Sequence, residues 1–300
     1  MKTAFCTFIY SKYYKYIPYY IYSIGQSYPD SDIIILYDGI LPKKYKHYVE
    51  NSHNTILKES FTKGHNWVKE LKHRGAKYQS IRHILMLDVF FNYDYIYFGD
   101  VDILVLKEAY NLFQFHRDQC AKTQLPFSNK VRPSVAHENI PSKRLTGLHF
   151  VEVKPYYTAL KPVIEKFLSD STYRNQLLKD TERNEHVLYN LCKAAFNFDA
   201  EKLLHNLRPW HGFHLGLVRG KNYLNIETVK QNSSLDLQLL KAELNRLNSN
   251  GEINKLLMKY YCFQVYQTYL YLGLDLAYSV HLKYKFMEAK RKLITKLKYR

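Results

Sequence analysis

Residues 93–106, running from Tyr93 to Leu106, constrain this chain more than any other stretch. Aromatic and β-branched residues stand on both sides of Gly99-Asp100-Val101-Asp102, which predicts a buried strand with a break in it. Two carboxylates inside such an apolar run are costly to bury alone. Alternate residues of an extended chain face the same way, so Asp100 and Asp102 share one side. Like charges that close need a counter-cation. A hard divalent ion, Mg²⁺ or Mn²⁺, held by oxygen ligands and keeping positions open for phosphate oxygens, meets that need. The plainer reading is a strand end whose aspartates cap a turn or pair with basic side chains.

The flanks predict an α/β fold, a doubly wound, mostly parallel sheet with a C-terminal helical extension. Thr3–Tyr10 reads as the first strand, followed by a tyrosine-rich helix over 13–28 with Pro18 near its start. Asp32–Gly39 is a continuous apolar strand, Asn54–Glu59 a short third one, and Lys77–Phe91 a helix leading into the 93–106 strand. The β-α-β opening implies a parallel pair with a right-handed crossover. No Gly-x-Gly-x-x-Gly and no Gly-x-x-x-x-Gly-Lys-Ser/Thr element is present, so neither a dinucleotide fold nor a P-loop is supported. Ligands of such sheets sit beyond the carboxyl ends of the strands, here Tyr10-Ser11, Asp38-Gly39 and Asp100-Val101-Asp102.

A hydrophobic strand that ends in Asp-x-Asp at this place in a β-α-β run resembles the metal-binding motif of GT-A glycosyltransferases, of the bacterial capsule and lipooligosaccharide type. The resemblance covers residues 1–225, expected to form a nucleotide-sugar-binding and catalytic domain, with 226–300 as the helical extension. It implies transfer of a sugar from a nucleoside diphosphate sugar, a UDP-sugar in the first instance, to a surface-glycan acceptor. Asp100 and Asp102 would hold Mn²⁺ or Mg²⁺, Asp102 more directly, beside Gly99. Tyr10, Ser11 and Asp38 would hold base and ribose, although each also reads as an ordinary residue at the start of a loop. The strand over Leu145–Val153 would border the donor sugar, making Gly147 and His149 substrate contacts; a lone histidine in an apolar strand is also a common core residue. Glu185, near the start of a helix over Asp180–Phe196 with Thr181 as N-cap, would serve as base or acceptor contact. Its plainer role is a first-turn carboxylate on the helix dipole.

Arg208 to Lys221 gathers two histidines, three glycines and several cations. Glycines let backbone N–H groups approach an anion, Arg219 and Lys221 can neutralise diphosphate, and one imidazole can complete a metal shell. The stretch is similar to the His-x-x-Gly-x-x-Lys element of glycogenin-like and lipooligosaccharide-type galactosyltransferases. Gly216 and Arg219 take the Gly and Lys places. His214 lies one residue closer to Gly216 than the element's histidine and His211 two further away. His214 is taken as the third metal ligand and His211 as a substrate contact, with a glycine-rich turn and a capping histidine as the alternative.

Elsewhere the pattern is plainer. Residues 122–146 hold Pro126, Pro133 and Pro141 without a period, expected to be a lid or a disordered connection. Tyr156–Ser169, Asp236–Leu247 and Ile253–Leu282 read as helices. The last segment sets Leu282, Phe286, Ala289, Leu293 and Leu297 at helical spacing among many lysines, a basic amphipathic helix suited to an anionic membrane surface. With a formal charge of +17, the 300-residue chain expects an anionic partner. A nucleic-acid-binding protein or metal-dependent nuclease is therefore the alternative reading, although no specific nucleic acid is expected. The 4 cysteines, Cys6, Cys120, Cys192 and Cys262, are scattered, which favours reduced thiols. Reduced thiols fit a cytoplasmic protein, expected to be peripheral on the inner face of the cell membrane through its basic helix, with a lipid-linked glycan as acceptor; no signal peptide or membrane span is expected.

Overall fold

A computed structural model describes residues 1–59, 66–73, 75–135, 141–206, 212–218 and 237–298. The chain begins with β1 (Thr3–Tyr10), a 3₁₀ turn, α1 (Ile17–Ser27), β2 (Asp32–Asp38), α2 (Lys43–Glu50), β3 (Thr55–Glu59) and α3 (Asn66–His73). Three short helical pieces, Gly75–Ser80, α4 (Ile81–Ile84) and Asp88–Asn92, lead to β4 (Tyr95–Gly99). Then come β5 (Ile103–Val105), α5 (Leu112–Thr123), β6 (Phe127–Ser128), β7 (Val131–Val135), β8 (Pro141–Leu145) and β9 (His149–Glu152). Helices α6 (Val153–Ser169), α7 (Ser171–Leu178), α8 (Asn184–Phe196) and α9 (Glu201–Leu204) precede β10 (Gly212–His214) and the 3₁₀ turn Leu215–Val218. The chain closes with α10 (Leu237–Asn248), α11 (Glu252–Lys259), α12 (Phe263–Tyr271) and α13 (Tyr278–Lys298).

These elements form two compact units. The first comprises Met1–Ser11, Asp30–Val101 and Glu108–Pro209; the second comprises Lys12–Pro29, Asp102–Lys107 and Trp210–Arg300. The first unit contains a six-stranded sheet in the order β3-β2-β1-β4-β9-β6. Its first four strands are parallel, and β9 runs against both of its neighbours. This is a mixed, mostly parallel central sheet with flanking helices, and helices end the chain, as expected. Cys6, Phe8, Ile34, Leu36, Ile96 and Phe98 of the sheet share one core with α6 and α8. The spacing of Tyr156, Leu160, Ile164 and Phe167 gives α6 a single apolar face for that core.

In the second unit, tyrosines spend their hydroxyls on backbone carbonyls of the helices. Tyr19 donates to Tyr260 O at 2.5 Å, Tyr22 to Leu247 O at 2.8 Å and Tyr269 to Leu244 O at 2.8 Å. Each bond gives a phenol hydroxyl in the helical unit a backbone partner.

Three expected elements differ. The helix over Lys77–Phe91 is broken: it stops at Ile84 because Leu85 is extended (ψ 132°). Among the described residues of 122–146, β7 and β8 pair as an antiparallel ribbon with Val131 opposite Leu145, in place of a structureless connection. Two-stranded pairing tolerates Pro133 and Pro141, which a central strand would not. Ile253–Leu282 is three helices rather than one, interrupted at Tyr260, which is extended, and at Gly273, whose φ is +64°. Among the described residues no helix is long and apolar enough to cross a membrane. All four cysteines are free and buried.

Candidate functional site

At the carboxyl edge of the first unit's sheet, Tyr10 and Asp38 face each other in register. The Asp38 carboxylate accepts a hydrogen bond from the Tyr78 hydroxyl. Burial, and then that bond, push the Tyr78 phenol above its ordinary pKa. Tyr10 meets Tyr78 edge-on, ring centroids 4.9 Å apart. Ser11 turns the chain off β1 with φ +53°, a left-handed conformation uncommon outside glycine. Its carbonyl lies 3.5 Å from the Tyr37 hydroxyl.

The next strand end is governed by Arg82, which is fully buried in α4. Its Nη1 donates to Gly99 O at 2.9 Å and to Asp100 Oδ1 at 2.8 Å, and its Nη2 donates to Gly147 O at 3.1 Å. Its Nε donates to His83 Nε2 at 3.1 Å. One guanidinium thus gathers Gly99, Asp100 and Gly147. Asp100 keeps Oδ2 turned towards Gly147, where an added Cβ would stand 3.5 Å from that oxygen. The absence of a side chain at Gly147 leaves room over the carboxylate.

Asp102 has a different setting in the second unit. β5 pairs antiparallel with β10, matching Ile103 with His214 and Val105 with Gly212. Leu215 N donates to Asp102 O at 2.7 Å, so the chain after β10 is tied to the aspartate's own backbone. Gly212 makes this pairing possible: with φ +153°, a Cβ there would fall 2.1 Å from Leu104 O. His214 Nδ1 stands 3.6 Å from Asp102 Oδ2 and accepts a hydrogen bond from Gly216 N at 2.8 Å. A Cβ on Gly216 would come within 2.4 Å of the imidazole and 3.5 Å of Asp102 Oδ2. Gly216 is a cradle whose missing side chain keeps carboxylate and imidazole open.

Two carboxylates from the Asp100-Val101-Asp102 tripeptide and one imidazole, His214, are a donor set of the kind that Mn²⁺ and Mg²⁺ take. The glycine cradles at 147 and 216 fit such a group.

The other expected site residues have separate settings. His149 is fully buried: Nδ1 accepts from Asn129 at 2.9 Å and Nε2 pairs with the Tyr156 hydroxyl at 3.1 Å. Burial, then Arg82, lower its pKa to about 3, so the ring is a neutral core residue whose nitrogens are both used. Glu185, in the first turn of α8, lies 3.5 Å from Arg144 Nη1, in a cluster of its own with His186. Thr181 does not cap α8; its hydroxyl donates to Leu178 O at 2.6 Å. His211, Arg219 and Lys221 lie outside the described residues.

Sequence reasoning missed Arg82, Tyr78 and Arg144. Arg82 had a signal: a cation inside Ile81-Arg82-His83-Ile84-Leu85 poses the same burial question as Asp100, and the two answer each other.

No protein-family model matches the chain, and no curated protein matches it. Solved structures similar to it are glycosyltransferases. The galactosyltransferase LgtC, in complex with donor and acceptor sugar analogues, is 12% identical over 71% of this chain and 86% of that one, with a TM-score of 0.44. GlyE of Streptococcus pneumoniae TIGR4 is 11% identical over 65% of this chain and 44% of that one, TM-score 0.34. The glycosyltransferase PaToxG is 14% identical over 68% and 72%, TM-score 0.35.

Proposed function

We propose that this protein is a metal-dependent glycosyltransferase that moves a sugar from a nucleoside diphosphate sugar, a UDP-sugar in the first instance, to a glycan acceptor. One observation carries the reading: Asp100-Val101-Asp102 follows the central strand β4, with Arg82 and Gly147 set against the first carboxylate and His214 and Gly216 against the second. Asp100, Asp102 and His214 would hold Mn²⁺ or Mg²⁺. When bound, that ion supplies Lewis-acid stabilisation of the negative charge that builds on the departing diphosphate. Arg82 fixes the Asp100 carboxylate, and Gly216 N–H fixes the imidazole that faces Asp102. Tyr10 and Asp38, at the neighbouring strand ends, would meet the base and ribose. Arg219 and Lys221 would add positive charge for the diphosphate. Glu185 would touch the acceptor and, if configuration inverts, take its hydroxyl proton. The catalytic part is proposed to be residues 1–225.

The test is hydrolysis and transfer from UDP-, GDP- and CMP-sugars with and without Mn²⁺, followed by thermal shift with the same ligands. Release of nucleoside diphosphate only when Mn²⁺ is present is expected. Cleavage of oligonucleotides with no turnover of any sugar nucleotide would overturn it. The nucleic-acid alternative rests on the net charge of +17, which fits any anionic partner equally.

The C-terminal helix fits a peripheral place on an anionic membrane, where a lipid-linked acceptor lies. α13 buries Val280 and Tyr284, while Tyr278, Leu282, Phe286 and Leu293 are exposed at helical spacing. Lys285 and Lys290 are exposed among them. Such a face binds by apolar insertion plus charge. Phe286→Glu should lower sedimentation with phosphatidylserine vesicles several-fold. Equal sedimentation of the variant, or equal binding to neutral vesicles, would remove the membrane from the reading.

A further inference from the structure

The ribbon of β7 and β8 sets two like charges face to face. Arg132 and Arg144 are direct cross-strand partners. Val131 and Leu145, which alternate with them, are buried in the core, so the arginines share the opposite face of the ribbon. Like charges in directly opposed positions weaken a strand pair. Partial burial and then Arg144 lower the Arg132 pKa, with Glu185 acting the other way.

The compensation is incomplete. Glu185 is the acid at this pair, and its Oε1 stands 3.5 Å from Arg144 Nη1. A well-formed guanidinium–carboxylate bond is about 2.7–2.9 Å. Both side chains are about four-fifths buried, at 19% and 20% exposure. Arg144 Nε is buried and has no hydrogen-bond partner among the described residues. Burial holds the neighbouring His186 below its ordinary pKa, and Arg144 is the next largest cause. Two fixed positive charges thus face one carboxylate, and donors are left over in a rigid, planar fork suited to oxyanions.

The place matters as much as the charge. Arg144 is three residues before Gly147, whose carbonyl is held by the same Arg82 that holds Asp100. That much chain spans at most about 10 Å. The arginine pair therefore sits on the chain segment that leads into Gly147.

We propose that Arg132 and Arg144 form a subsite for an anionic substituent on the acceptor glycan, a carboxylate or a phosphate, with Glu185 as the internal carboxylate that occupies part of it. The acceptor class is then acidic saccharide. This rests on the sugar-transfer reading for the word acceptor, but the anion subsite can be tested without it.

The experiment measures binding of methyl glucuronide, glucose 6-phosphate and methyl glucoside to the full chain by saturation-transfer NMR, with no donor present. At least one anionic sugar is expected to bind about tenfold tighter than the neutral glucoside. Whichever is preferred identifies carboxylate or phosphate. Arg132→Gln, at an exposed position, and Arg144→Gln should each erase that preference. Glu185→Gln should tighten anion binding, a gain that a merely structural ion pair would not produce. Equal binding of all three sugars by the unaltered protein would overturn the subsite, as would a preference that survives both arginine substitutions. If the preference appears but no nucleotide sugar is ever turned over with Mn²⁺, the transferase reading fails and the anion subsite stands.

Discussion

Asp100 and Asp102 are one residue apart and are supported in inverse ways. At Asp100 the cation is the buried member: Arg82 is 1% exposed, while the carboxylate is 26% exposed. At Asp102 the carboxylate is buried, 5% exposed, and its partner His214 reaches outward at 44%. The first pair has a permanent countercharge, tied at the same time to two backbone carbonyls. The second has an imidazole whose Nδ1 lone pair is engaged by the Gly216 N–H. Asp100 is thus oriented by a fixed cation, whereas Asp102 has an outward-reaching imidazole as its neighbour.

The comparison can be broken most directly at the carboxylates. Asp100→Asn and Asp102→Asn should each lower Mn²⁺-dependent turnover of a nucleotide sugar by about 10²–10³-fold, the usual scale for losing a main electrostatic contributor. Wild-type rates in either variant would remove that aspartate from the site.

Stability should separate the two pairs next. Arg82→Gln leaves a partly buried carboxylate and two carbonyls without their donor, and should cost about 3 kcal/mol in urea unfolding. His214→Gln, on an exposed side chain, should stay within about 0.5 kcal/mol. Equal losses would mean that the inverse burial has no energetic consequence.

A third difference concerns imidazoles. Burial lowers the pKa of His116 and His149 to about 3 each. Their unfolded forms take up protons near 6.5, so folding stability is complete above that pH and is lost as pH falls from 6.5 towards 3. Going from pH 7 to pH 5.5 should cost about 1 kcal/mol for each ring. His116→Phe, in a ring already stacked on Phe150 at 4.9 Å, should remove its share of the slope. An unchanged slope would show that His116 is not a source of it.

The smallest change is at the cradle. Gly216→Ala pushes against the His214 ring alone, so folding stability should hardly move, while apparent Mn²⁺ affinity should fall by about tenfold. Unchanged affinity would separate His214 from metal binding.

Much of the frame was legible beforehand, because strands covered on both faces must be apolar throughout. Thr3–Tyr10 and the run from Asp32 show this, and their ends correctly pointed to Tyr10 and Asp38 lying together. The Asp100/Asp102 pair was legible because charge inside such a run demands an explanation. Less legible was the ribbon of β7 and β8, where two prolines and several polar residues hide a strand pair whose buried apolar positions are Val131 and Leu145. The break at Leu85 was hidden too, since helical periodicity does not report that Arg82 and His83 are spent on bonds to distant backbone and to each other.

Local patterning alone determined that this chain builds a mostly parallel sheet and sets two acids after its central strand, because burial energies act on each residue by type. Only tertiary structure decided what those acids meet. Arg82 reaches Asp100 across 18 residues of chain, and His214 reaches Asp102 through the pairing of β5 with β10. It also decided that His149 belongs to the core and that two arginines oppose each other on a ribbon. Partners like these are chosen by distance in space, which one-dimensional spacing does not encode.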